Sequence, residues 1–129
     1  MSIKDLLRRA KALISEPGKW TQNADGRTVA GKEVHPKDYN AVCWCIVGAI
    51  DRVSTSLSDK DKAVWAFLHV SLPYHEPRTL NQSHISLWND VKERTHDEVM
   101  KAFDEAIEKC DSLSWGEGRN GSSTEGSYK

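Results

Sequence analysis

The sequence predicts a mainly α-helical fold, a compact bundle of four to five helices around a buried central helix. Three observations carry that expectation. Apolar residues recur at i, i+3, i+4 and i+7 in several segments, the spacing of one helix face. Cap-plus-acid signatures precede these segments at Ser2/Asp5, Ser58/Asp61 and Thr95/Glu98. The run Trp44-Cys45-Ile46-Val47-Gly48-Ala49 lies in a stretch, residues 41–50, that is uncharged on every side, as a helix enclosed by protein must be.

The elements follow in order. Ser2 caps a first helix whose stripe is Ile3, Leu6, Leu7, Ala10, Leu13 and Ile14, and Pro17-Gly18 stops it. Residues 19–34 have little periodicity; Trp20-Thr21-Gln22 and Arg27-Thr28-Val29 flank Asp25-Gly26, which reads as a small hairpin near residues 20–29 or as an ordered loop. Pro36 suits the first turn of a second helix over residues 38–53. Ala41, Cys45, Gly48 and Ala49 line one face of it with small side chains, which lets another backbone approach closely. Ser58 opens a third helix with Ala63, Val64, Phe67, Leu68 and Leu72 on its apolar face, ended by Pro73. After a loop at 73–82, Ser83 caps a short helix through Ile85, Leu87 and Trp88. The Thr95-His96-Asp97-Glu98 capping box starts the last helix, with Val99, Met100, Phe103, Ala106, Ile107 and Cys110 on one face. Residues 1–112 thus read as a single helical domain, and 113–129 as a flexible Ser/Gly-rich tail.

Composition narrows the function classes. Lys plus Arg number 18 against 19 Asp plus Glu, so the chain lacks the basic footprint of a general nucleic-acid binder. No apolar run approaches the length of about 20 residues that spans a bilayer. The start, interrupted by Lys4, Asp5, Arg8, Arg9 and Lys11, is not a secretory signal, and a cytoplasmic location without membrane attachment is expected. The three cysteines are odd in number, and Cys43 and Cys45 stand too close to suggest a disulfide framework. On a helix these two would face about 200° apart, and the histidines are scattered, so no metal and no cofactor are expected.

Two sets of residues are candidates for function. The first is Cys45, the one cysteine with chemistry to weigh against core packing. As a nucleophile it would need His69, His84 or His96 as base and Asn89 or Asp90 to orient that base, giving a small hydrolase or transferase. Burial in an apolar run argues the other way, because it raises a thiol's pKa and makes the residue inert. Asn89 and Asp90 have their own structural reading, closing a short helix by hydrogen bonds to nearby backbone. The second set is aromatic and cationic. Among five tryptophans, Trp44 and Trp88 are assigned to the core, whereas Trp20 and Trp65 lie beside irregular or charged segments. With Arg27, Tyr74 and Arg78 they are the residue types that dominate protein interfaces.

Leu6-Leu7 with Ala10, Trp20-Thr21, Trp44-Cys45-x-x-Gly48-Ala49, Trp88-Asn89-Asp90, and Thr95-x-x-Glu98-Val99 with Phe103 and Ala106-Ile107 together resemble a domain family of unknown function found in bacteria and their phages. The resemblance covers roughly residues 5–108. It implies a small accessory protein of a bacterial or phage cytosol and brings no activity, cofactor or catalytic residue with it. Cys43, the 73–82 loop and the tail stand outside the shared pattern. The expected function is a protein-binding or regulatory module that engages or inhibits a host protein, or pairs with itself; the alternative is the Cys45 enzyme.

Overall fold

The computed structural model describes residues 2–71 and 82–110. Among these, five helices and one two-stranded sheet run in the order α1 (Ile3–Leu13), β1 (Gly26–Arg27), β2 (Cys43–Trp44), α2 (Ile46–Val53), α3 (Leu57–Ser71), α4 (Gln82–Asn89) and α5 (His96–Lys109). The sequence-predicted class is the observed one. Leu72, Pro73, Tyr74, Arg78 and the tail at 113–129 lie outside the described residues.

Helix α1 begins where Ser2 accepts the Asp5 N–H, and α5 begins with the complete Thr95–Glu98 capping box. The apolar faces of α1, α3 and α5 converge on one core. Leu6, Leu7, Ala10 and Ile14 meet Phe67, Val99, Phe103 and Ala106, all fully buried, and Phe67 and Phe103 stack edge to face with centroids 5.2 Å apart. Helix α2 is the buried axis: Ile46 through Ile50 are each shielded from solvent, and α1, α3 and α4 pack around it.

The helix expected over 38–53 is shorter, beginning only at Ile46, and the reasons are local. Asp38 accepts the Asn40 N–H through its carboxylate at 2.7 Å, an Asx turn that competes with helix formation. Cys43 and Trp44 then take an extended course and pair antiparallel with Arg27 and Gly26. Cys45 remains extended at ψ −178° and serves as the N-cap of α2. Pro36 accordingly sits in a turn and not at a helix start. Of the hairpin expected near residues 20–29, Arg27 lies in β1, but the antiparallel partner is β2 and not residues 20–22, with Trp20 joining Trp44 from the other side through a parallel bridge. Helix α3 is capped by Ser56, whose hydroxyl takes the Asp59 N–H, and not by Ser58. Helix α4 already includes Gln82, so Ser83 lies inside its first turn.

Of the expected stripe of small residues, Ala41 lies before α2 and Cys45 caps it, and Gly48 is where another backbone comes close. A Cβ at this position would overlap the Asp25 carbonyl oxygen and come within 2.8 Å of its carbonyl carbon. The 20–25 segment therefore lies directly on the first turn of α2, an approach only glycine permits.

Candidate functional site

Residues 20–25 are held on α2 by the Asn89-Asp90 pair at the end of α4. The Asn89 side chain is fully buried and uses both ends of its amide. Its oxygen accepts the Trp20 indole N–H at 2.8 Å and the Ile46 N–H at 3.2 Å; its nitrogen donates to the Thr21 carbonyl and the Asp90 carboxylate. Asp90 in turn accepts the Asn23 N–H at 2.8 Å, fixing Asn23 at a φ of 65° that asparagine tolerates better than most residues. Gln22 closes the set by donating to the carbonyls of Asn89 and Val91. A buried polar network satisfied in this way specifies one geometry, because each broken bond strands a desolvated group.

Cys45 belongs to the same cluster. Its sulfur accepts the Gly48 N–H at 3.3 Å and its S–H donates to the Asp25 carboxylate at 3.4 Å. The thiol pKa is raised from the ordinary 9.0 to about 12, chiefly by burial, with the Gly48 N–H lowering it and the Asp25 and Asp90 carboxylates adding to the rise. A thiol held protonated is a poor nucleophile. Among the described residues no imidazole bonds to the sulfur: His69 stacks on Trp65 at 3.7 Å and bonds its carbonyl, and His96 bonds the Ile14 carbonyl. His84 lies half-buried on α4. Alkylation of the native chain at neutral pH is therefore expected to modify half-buried Cys43, while Cys45 reacts only at the rate of unfolding. The pH dependence follows in sign. A thiol that loses its proton near 9.0 when unfolded and near 12 when folded stabilises the fold below pH 9, and that contribution disappears as pH climbs toward 12.

The two thiols do not diverge as a helix would place them. With Cys43 in β2 and Cys45 two residues on in extended backbone, both reach the 25–27 segment, Cys43 toward the Arg27 carbonyl at 4.0 Å. Among the described residues, no group of three or more His, Cys, Asp and Glu is placed to hold a metal. No described helix is long and apolar enough to cross a membrane.

From this base an ordered excursion, residues 28–42, leaves β1 and returns to β2. Its near end is tied by the Arg27 guanidinium, which donates to the Thr21 hydroxyl, the Gln22 carbonyl and, at 2.9 Å, the Gly31 carbonyl. Gly31 sits at φ 86° in the turn closed by the Thr28 carbonyl. The far end is tied by Arg52 of α2, which donates to the carbonyls of Pro36 and Asp38 at 3.1 and 2.8 Å and lies over the Trp44 ring. The Trp44 indole donates to the same Pro36 carbonyl. Large apolar side chains stand out from this framework: Tyr39 is 94% exposed and Val29 88% exposed.

The sequence-predicted residues are thus divided. Trp20, Arg27 and Asp90 lie within the framework, half-buried and hydrogen-bonded inward, and Cys45 and Asn89 lie buried within it. Trp65 is half-buried on α3 beside His69. Tyr74 and Arg78 fall outside the described residues. Trp88 lies half-buried beneath the Arg94 guanidinium, 3.8 Å from its ring centre. Sequence reasoning missed Tyr39 and Val29; the available signal was the turn chemistry of Asp38 and Asn40 around an aromatic residue. A separate cleft of 350 Å³ lies between α2 and α3, but its lysines are engaged, Lys37 on the Ser54 and Arg52 carbonyls and Lys60 on Asp51.

The profile of a family described as a family of unknown function (DUF6197) matches residues 1–109. No curated protein and no solved structure matches the chain.

Proposed function

The chain belongs to the DUF6197 family, and we propose that it works as a small protein-binding or regulatory module whose partner docks on the 28–42 excursion. The observation that carries this reading is Tyr39, an almost fully exposed aromatic side chain on a loop fixed at both ends by arginine. Rigid loops bind with less loss of conformational entropy than mobile ones, and tyrosine is among the residues that dominate interface energies. The cysteine-enzyme reading has the opposite support, since Cys45 is buried, protonated and bonded to a carboxylate. The bacterial or phage cytosol implied by the family resemblance is the setting of this proposal, with a host protein as the partner engaged or inhibited.

Tyr39→Ala tests it. The side chain meets solvent, so thermal stability is expected to change by no more than about 0.5 kcal/mol. A truncated interface anchor costs about 2 kcal/mol or more of binding. Affinity purification from the host with tagged wild type should recover a partner that the Tyr39→Ala chain does not retain. Equal recovery by both chains would count against the loop as the contact surface.

A further inference from the structure

The excursion contains a strand edge. Arg27 and Glu33 form an antiparallel bridge flanked by two hydrogen bonds, Thr28 N–H to the Lys32 carbonyl at 2.9 Å and Val34 N–H to the Gly26 carbonyl at 3.0 Å. A bridge flanked in this way is the non-hydrogen-bonded kind, in which the N–H and C=O of both residues point away from each other. Arg27 obeys the rule: its carbonyl turns to the other side and accepts the Val42 N–H at 2.8 Å. The Glu33 N–H and C=O therefore point outward, and among the described residues neither has a partner. Lys32 and Glu33 are exposed.

We infer that this edge accepts an extended peptide as an added antiparallel strand, with a lysine or arginine opposite Glu33. The inference rests on the loop as the contact surface and names the partner's form. An outward N–H and C=O on one residue are satisfied together by a single residue of an antiparallel strand, which exchanges both bonds with it. Charge selects the occupant. The Glu33 carboxylate has no cation on it among the described residues, and like charges directly opposite on paired strands are destabilising. Two copies of the chain pairing about Glu33 would set carboxylate against carboxylate. A basic residue in a heterologous peptide removes that repulsion and supplies an attraction. Val29 and Tyr39, both exposed in the same excursion, offer apolar surface that strand pairing alone lacks.

Random peptides displayed on phage and selected on the folded chain test this. The expected winners alternate apolar and polar residues around a central lysine or arginine and shift the Glu33 amide resonance on binding. An ester replacing the amide of that central residue removes its N–H and should weaken binding about tenfold without altering the protein. Glu33→Pro, which removes both the outward N–H and the carboxylate at an edge where proline is tolerated, should weaken it at least as much, with the remaining amide spectrum confirming the fold. Peptides that bind the Glu33→Pro chain and the wild type alike, or that tolerate the ester, would overturn strand addition. So would failure to recover any binding peptide. Peptides that shift Tyr39 but not Glu33 would also overturn it, while leaving the loop as the contact surface; peptides that shift neither would remove both readings.

Discussion

Gly48→Ala is expected to lower the thermal midpoint by roughly 8 °C, a loss of about 2 kcal/mol or more. On an unobstructed helix the same change stabilises by about 1 kcal/mol, because glycine has the higher conformational entropy to lose. The sign is reversed here by one contact. The added methyl group would occupy the space of the Asp25 carbonyl, which is backbone and cannot swing aside as a side chain would. Relief requires the 20–25 segment to lift from α2, and that lift breaks the bonds from Asn23 to Asp90 and from Cys45 to Asp25. Thermal unfolding by circular dichroism measures the shift. An unchanged or higher midpoint would mean that the segment does not rest on α2 as described.

Asn89→Ala is expected to be at least as severe, at about 3–5 kcal/mol. The substitution strands the Trp20 indole N–H and the Ile46 N–H, both of which Asn89 alone satisfies, and leaves the Thr21 carbonyl without its donor. Each buried donor left unpaired costs about 1–3 kcal/mol, and the shared network prevents simple addition. Asn89→Asp separates the contributions. It keeps an acceptor for Trp20 and Ile46, loses the donor, and sets a second carboxylate against Asp90. That variant should be strongly destabilised at neutral pH and partly recover in acid, where the introduced carboxyl is protonated and can donate. Denaturant titrations at the two pH values measure this. Equal stability of Asn89→Asp and wild type at neutral pH would contradict the assigned roles of the amide.

What was legible in the sequence follows from how local each signal is. Helices α1 and α5 were readable nearly to the residue, because Ser2 and Thr95 announce their own caps and the stripes behind them repeat every three or four residues. The start of α2 was not. Residues 41–50 are apolar throughout, so they carry no period, and nothing local marks the change at Cys45 from strand to helix. That change is imposed from a distance, by Arg27 pairing with Cys43 and by Asn89 capping Ile46. Gly48 was readable as a close approach, though not what approached. The Asn89-Asp90 pair was readable as a structural group bonding to backbone, but its reach to Trp20 and Thr21 needed the fold. Tyr39 was missed for the converse reason: Asp38 and Asn40 on either side of it signal a turn, but the flanking residues do not say whether the tyrosine folds inward or stands out.

An internal polar framework around Asn89 and Cys45 holds an outward loop in place. A photo-cross-linking residue substituted for Tyr39 in the living host tests that arrangement most directly, with a second chain carrying it at Glu108 on the exposed side of α5 as reference. The expected result is a discrete adduct with one host protein from position 39 and none from position 108. Adducts of the same protein from both positions, or from neither, would contradict it.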